Sequence, residues 1–288
     1  MRTVRLDVTG PLPAAAMLGA LAAHSLPGVQ ETDVARGVVR RVLRLDGREV
    51  PVELLVAEGR VDLRVGTDVP HPTVDRAGAQ VRQWLDLDLD PSVVHDALRG
   101  DARLAPLLAA RPGLRVVGHP DPFEAAVTTV LGQRVSLAAA RVLASRFLAH
   151  VDQESVGAGL RPFPPPERVA VADPGALRAA VGTTAVRART VVALARAFTD
   201  GLDLTGPDHA GLRSRLLALP GIGPWSVEYL AVRVLGDRDA FPAGDLVLQR
   251  ALGVRTAREA EEIGEPWRPW RAYGLFHLWT AETYATVA

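Results

Sequence analysis

The segment Leu219-Pro220-Gly221-Ile222-Gly223-Pro224-Trp225 constrains this chain more than any other. Apolar residues recur at helical spacing before it (Leu212, Leu216, Leu217) and after it (Val227, Leu230, Ala231, Val234). Two helices therefore meet across a turn where proline stops the first and glycine sets the path of the backbone. Two glycines two apart make positive φ available at either position. They also leave main-chain amides uncovered at the start of the second helix. There, backbone N–H groups and the helix dipole can hold a phosphate without any cationic side chain. Ser226 adds a further amide or its hydroxyl. A Gly-x-Gly turn taken alone fits an ordinary αα-corner at least as well as a ligand-binding hairpin.

The remaining pattern describes an α+β chain. Residues 13–24 are rich in Ala, Leu and Met and read as a helix. Residues 36–66 read as strands, with partial alternation through Val42-Leu43-Arg44-Leu45 and Val61-Asp62-Leu63-Arg64-Val65. Asp46-Gly47 and Glu58-Gly59 mark the turns between them. Pro51 suits a strand start or an edge better than a central strand. Past Asp90 the chain turns helical. Asp121-Pro122-Phe123-Glu124 predicts an N-cap, a proline at the first helical position and a capping-box glutamate at the third. Gly132-Gln133-Arg134 interrupts that helix, and Ser136 starts another running to about His150. Residues 161–166 form a proline-rich loop, and Asp173-Pro174 opens a helix that Gly182 can end.

Two absences exclude chemistry. With no cysteine, disulfides, zinc–thiolate sites and cysteine-ligated iron–sulfur clusters are out of reach. With no lysine, no side-chain amine can form a Schiff base with a sugar aldehyde. The formal net charge is zero, whereas nucleic-acid binders are usually basic, so any such role rests on local geometry. No stretch approaches the roughly 20 apolar residues of a membrane helix, and the N-terminus lacks an apolar signal region. The expectation is a cytoplasmic protein.

Asp245 lies 22 residues beyond Gly223, in Phe241-Pro242-Ala243-Gly244-Asp245-Leu246-Val247. Hairpin, helix, loop and aspartate in this order resemble the helix-hairpin-helix, Gly/Pro-rich, Asp superfamily of base-excision DNA glycosylases. Within it the chain resembles the DNA-3-methyladenine glycosylase II family. The resemblance extends through Met17-Leu18-Gly19, Ala110-Arg111-Pro112-Gly113-Leu114-Arg115, Leu131-Gly132-Gln133 and Trp267-Arg268-Pro269-Trp270-Arg271. It implies an antiparallel-sheet and helix domain over residues 1–95, followed by two helical domains flanking a cleft. One joins 96–119 to 238–288 and carries the aspartate; the other is 120–237 and ends in the hairpin.

The resemblance also assigns roles. N3- or N7-alkylation places positive charge on a purine and makes it a good leaving group. The enzyme then needs a carboxylate that stabilises an oxocarbenium-like sugar or helps water attack it, more than it needs a general acid. Asp245 is that candidate, against the alternative of a helix N-cap. Trp225, Tyr229 and Trp279 match wall positions of the base pocket, where a cationic base gains roughly 0.5–2 kcal/mol from π faces. For any one of them a core aromatic is the commoner explanation, and Trp267 and Trp270 are expected to pack the last helix. Ala20 stands where the family places a pocket phenylalanine, and Leu246 and Val247 follow the aspartate where an aromatic and a leucine are expected. The intercalating wedge falls at Arg134, beside Gln133, with a surface arginine as the alternative. Gly221, Gly223 and Ser226 would contact phosphate. The carbonyls of Leu217, Leu219 and Gly221 would hold a monovalent cation, sodium or potassium. No other cofactor is implied and no iron–sulfur cluster. The lysine that forms the Schiff base in bifunctional relatives is replaced by Trp225.

The expected partner is double-stranded DNA containing damaged bases, bound by a monomer without membrane contact. Two other functions stay open: a non-catalytic DNA-binding protein that kept the hairpin, and a same-fold glycosylase for hypoxanthine or uracil. A neutral lesion calls for leaving-group protonation, for which His277 is a candidate against its reading as a core histidine. Asp237 and Asp239 read as turn or capping residues.

Overall fold

The computed structural model describes residues 1–151 and 159–284. Strands β1 (Arg2–Leu6), β2 (Gln30–Asp33), β3 (Val38–Leu45), β4 (Arg48–Ala57) and β5 (Arg60–Val65) form one antiparallel sheet in the order β1-β5-β4-β3-β2. In β4 the side chains of Val50, Val52, Leu54 and Val56 are buried and alternate with more accessible ones, the period of a half-buried strand. Asp46 and Gly47 both take positive φ, at 51° and 70°, and close the β3–β4 hairpin in two residues. Pro51 departs from the expected edge position, because β4 is an interior strand. Its partner on β3 is Val42, whereas pairing with β5 begins only at Val52. The proline therefore has no neighbouring strand on that side, and its missing N–H breaks no ladder there.

Helices α1 (Ala14–His24) and α2 (His71–Trp84) accompany the sheet. They are followed by α3 (Pro91–Leu98), α4 (Ala105–Ala110), α5 (Pro122–Gly132), α6 (Leu137–Val151), α7 (Pro166–Ala170) and α8 (Pro174–Val181). Then come α9 (Ala185–Thr199), α10 (His209–Leu217), α11 (Pro224–Leu230), α12 (Leu246–Leu252), α13 (Ala257–Gly264) and α14 (Arg271–Trp279). Two of these run directly into π-helical turns: α11 into Ala231–Leu235, and α14 into Thr280–Tyr284. Such turns widen a helix locally and recur at functional sites.

Local chemistry sets the helix ends. Asp121 caps α5, accepting from the Phe123 and Glu124 amides at 2.9 and 3.0 Å. Ser136 caps α6 through the Ala139 amide, and Asp173 and Gly182 (φ 73°) bound α8. Glu124 is not a capping side chain. It is buried and receives Arg41 of β3 at 2.7 Å, an ion pair that ties the sheet to the helical region. Arg115 is fully buried and donates to the Asp86 and Leu89 carbonyls at 2.9 and 2.7 Å and to that of Thr9, pinning the N-terminal segment. Helix α1 is buried on nearly every face. A Cβ on Gly19 would stand 2.9 Å from the Tyr284 carbonyl oxygen, so only glycine lets α1 lie against the π turn that follows α14.

At the hairpin only Gly221 uses the left-handed region, with φ 84°. A side chain there would strike Thr190 Oγ1, 2.0 Å from the position of its Cβ. Gly223 is extended at φ −114° and caps α11, and a Cβ there would meet nothing within 4 Å. Leu212 and Leu216 are buried as the helical spacing predicts, but Leu217 is half exposed and outside the core.

Candidate active site

A cavity of about 180 Å³ lies where α1, α5, α6, α11, α14 and the Asp245 loop converge. An apolar cavity of roughly 150 Å³ is enough for a benzene ring, so a single planar base is the right scale of occupant. Trp225, Tyr229, Trp279 and Asp245 all line it. Trp225 and Tyr229, four residues apart on α11, stack with centroids 5.3 Å apart at 29°. Trp279 of α14 meets Tyr229 at 5.5 Å and 47°. The three rings make one continuous wall.

Asp245 is buried at the N-terminus of α12, and its carboxylate is held on three sides. Oδ1 accepts from the Leu248 amide at 2.9 Å and from the Trp279 indole at 3.0 Å. Oδ2 accepts from the Trp225 indole at 3.1 Å. The two readings of this residue are not alternatives: the N-cap is also a carboxylate presented to the cavity between two tryptophans.

Other assigned residues lie elsewhere. Leu246 is 67 % exposed and does not line the cavity, because the first helical residue after an inward-facing cap turns outward; Val247 lines it instead. Ala20 is fully buried inside α1, and His24, one turn further on, is the residue that reaches the cavity. The Ser226 hydroxyl is buried and accepts from Gln133 Nε2 at 3.0 Å, so it is engaged inside the protein. The same Gln133 nitrogen donates to the Gly221 carbonyl at 3.0 Å, joining the α5–α6 turn to the hairpin. Arg187 also donates to the Gln133 carbonyl. Arg134 is exposed at the tip of that turn, in the left-handed conformation at φ 55°. Trp267 is buried with its indole on Asp101 at 2.9 Å, and Trp270 lies beneath Arg238; neither lines the cavity. His277 is buried away from it, and burial followed by the nearby Arg111 pushes its pKa down to about 4. Asp237 and Asp239 bind Arg213 and Arg271, at 2.7 and 2.9 Å.

The sequence reading missed a polar cluster on the cavity wall. Arg233, in the π turn after α11, sits 5.9 Å from the Tyr229 centroid, 3.1 Å from His24 Nε2 and 3.3 Å from the Gly118 carbonyl. The Tyr284 hydroxyl, in the other π turn, lies 3.1 Å from the same His24 nitrogen. Arginine only donates, so Nε2 is the acceptor and the ring proton sits on Nδ1. Burial and then Arg233 hold the His24 pKa well below its usual value, leaving the ring neutral. Burial pushes Glu124 upward, but Arg41 and His119 outweigh it and hold the carboxyl at about 2. Arg233 was within reach of the sequence, since Trp225, Tyr229 and Arg233 repeat at intervals of four.

Comparison with known proteins places this arrangement in a class. Residues 3–121 match the family model of the AlkA N-terminal domain, and residues 127–263 match that of the HhH-GPD superfamily base excision DNA repair protein. A DNA-3-methyladenine glycosylase 2 of Escherichia coli is 34 % identical over 271 residues, covering 92 % of this chain and 93 % of its own. The chain belongs to this glycosylase family within the superfamily. A probable bifunctional transcriptional activator/DNA repair enzyme AlkA of Mycobacterium tuberculosis is 39 % identical over 267 residues and 90 % of this chain. Only 52 % of that relative is matched, so the chain spans about half its length. The solved 3-methyladenine DNA-glycosylase from Archaeoglobus fulgidus has the same fold, with a TM-score of 0.82, 22 % identity and full coverage of both chains.

Proposed function

We propose that the chain is a monofunctional DNA glycosylase of base excision repair. It flips an alkylated purine, of the 3-methyladenine or 7-methylguanine type, out of double-stranded DNA and hydrolyses its N-glycosidic bond. The observation that carries this reading is the Asp245 carboxylate, fixed by three donors at the edge of an aromatic cavity of one base's size. Trp225, Tyr229 and Trp279 stack on the base, and Asp245 stabilises positive charge as it develops at C1′ and assists the attacking water. No lysine is present to capture the aldehyde sugar, so base release leaves the strand intact until alkali is added. Membership of the base excision superfamily supports DNA as the partner. Among the described residues no helix is long and apolar enough to cross a membrane.

In this reading the uncovered amides around Gly223 and the first turn of α11 receive a phosphate, and Arg134 enters the gap left by the flipped base. The division into 1–95, 96–119 with 238–288, and 120–237 belongs to the same proposal. So does a monovalent cation on the Leu217, Leu219 and Gly221 carbonyls; the Gly221 oxygen keeps one lone pair beside its bond from Gln133.

Duplexes carrying 3-methyladenine, 7-methylguanine, hypoxanthine or uracil, assayed for abasic sites with wild type and Asp245→Asn, test the reading. Release of alkylated purines by wild type and its loss in the variant are expected. Binding without release would leave only a non-catalytic DNA-binding role.

A further inference from the structure

We infer that the Tyr284 hydroxyl is a catalytic hydrogen-bond donor to the leaving base, required for release of neutral purines and dispensable for cationic ones. This rests on the glycosylase reading and deepens it to the chemistry of the leaving group. Tyr284 lies in the π turn after α14, is 5 % exposed and lines the cavity beside Arg233 and His24. Its ring stands edge-on to His24, with centroids 5.7 Å apart at 71°, and is tilted against Phe276 at 5.8 Å and 50°. Its hydroxyl oxygen lies 3.1 Å from His24 Nε2. That nitrogen is already taken. Arg233 stands 3.1 Å from it and can only donate, and a neutral imidazole nitrogen offers a single lone pair. The phenol proton therefore has no vacant acceptor on His24, and the hydroxyl can turn it toward an acceptor that enters the cavity.

Neighbouring groups do not supply this donor. The Thr128 and Thr129 hydroxyls on the same wall donate to the carbonyls of Glu124 and Ala125, each at 2.7 Å. Tyr229 offers a stacked base its ring face, so its own hydroxyl lies outside the plane in which a purine accepts. His277 does not line the cavity. The need for a donor depends on the charge of the base. An alkylated purine leaves as a neutral molecule, because the electron pair of the broken bond cancels the charge already present. A neutral purine such as hypoxanthine leaves as an anion, with the C1′–N9 pair spread over its ring nitrogens and O6. A hydrogen bond to any of these atoms strengthens as that charge grows, which is the condition for lowering the barrier. Burial pushes the Tyr284 phenol above its usual range, and Arg233 opposes this only in part. The phenol therefore keeps its proton and donates only a hydrogen bond. The water oxygen bonds C1′, and the water's proton passes to the departing base.

Tyr284→Phe deletes the hydroxyl and keeps the ring against Phe276 and His24. Single-turnover release of hypoxanthine and of 7-methylguanine, from duplexes of otherwise identical sequence, is compared in wild type and variant, with a cooperative urea transition to show that the variant folds. Hypoxanthine release should slow roughly 100-fold, the scale of one lost transition-state donor, while 7-methylguanine release should change less than about threefold. A second measurement leaves the packing in place: 3-fluorotyrosine at position 284, nearly the same size but a stronger hydrogen-bond donor, should speed hypoxanthine release and leave 7-methylguanine unchanged. Equal slowing of both bases in folded Tyr284→Phe, which a purely structural role predicts, would overturn the inference. So would unaltered hypoxanthine release in either altered protein, or a wild type that releases 7-methylguanine but no hypoxanthine. Absence of release from both duplexes by wild type would instead overturn the glycosylase reading beneath it.

Discussion

Asp245→Asn combined with Trp225→Phe tests whether one carboxylate serves both the helix and the cavity. Asparagine caps helices as well as aspartate does, and its oxygen can keep the bonds from the Leu248 amide and the Trp279 indole. Its nitrogen then replaces Oδ2 and faces Trp225 Nε1 across 3.1 Å, donor against donor. Losing a hydrogen bond to a charged acceptor costs about 1.5–3 kcal/mol, and losing negative charge at a helix N-terminus about 0.3–1 kcal/mol. Relief from burying the charge offsets part of this, so Asp245→Asn should lower stability by about 2 kcal/mol. Trp225→Phe in the wild-type background should cost a similar amount, because it removes the same bond. In the Asp245→Asn background it removes the opposing donor and should cost little beyond the smaller ring. Urea denaturation of all four proteins gives the coupling energy, expected above about 1.5 kcal/mol. Turnover of 7-methylguanine should fall at least about 100-fold in both proteins bearing asparagine. Additivity within about 0.5 kcal/mol would refute the proposed hydrogen-bond arrangement, whatever happened to activity.

The two hairpin glycines should separate under substitution. Gly221→Ala should destabilise by about 1–3 kcal/mol, because φ 84° is strained for alanine and its Cβ collides with Thr190. Gly223→Ala should leave the urea midpoint unchanged and weaken duplex binding, read by fluorescence anisotropy, because its Cβ projects into open space where a phosphate would approach. Glu124, held at about 2 against an ordinary 4.5, binds a proton more readily in the unfolded chain. Its contribution is therefore complete above about pH 4.5 and disappears as the pH falls toward 2, on the order of 3 kcal/mol. Glu124→Gln should remove that acid dependence and leave Arg41 buried and unpaired, with a loss of about 3–5 kcal/mol at pH 7 by denaturant titration. Arg134→Gly keeps the left-handed backbone at no strain while deleting the side chain. Stability should hold or rise slightly while base release slows; unchanged release would remove Arg134 from the wedge role.

Features governed by neighbours in sequence were legible. The Asp46-Gly47 hairpin, the caps at Asp121, Ser136 and Asp173, and the stop at Gly182 each need only a few consecutive residues. Trp225 and Tyr229, four apart, share a helix face for the same reason, while their place on a pocket wall was implied by the family resemblance. Tertiary packing decided what was missed. His24 and Tyr284 come together across 260 positions, through a glycine that admits the close approach of α1. Arg233 continues the four-residue spacing of Trp225 and Tyr229, but its partners His24 and Gly118 come from distant segments that only tertiary packing brings beside it. Ala20 and Leu246 were assigned to the right elements but to the wrong residue on each, one turn or one position from His24 and Val247.

In the proposed glycosylase reading, the aspartate's place at a cap explains how a chain without lysine or cysteine can present a fixed reactive group. A cap residue has its backbone set by the helix behind it, here at φ −71° and ψ 125°, and one carboxylate oxygen is anchored by that helix's own amide. The remaining acceptor sites take indole N–H groups from two different helices, and those same rings form the stacking wall. Aromatic surface and carboxylate orientation are therefore one hydrogen-bonded unit. Such a unit reorganises little as charge develops, which is the condition for electrostatic stabilisation of a transition state. It follows that a substitution on the wall alters the direction of the carboxylate as well as the grip on the base. Stacking and chemistry at this site cannot be tuned independently through Trp225 or Trp279; Tyr229, which has no bond to Asp245, is the one wall residue left free to adjust the fit of the base.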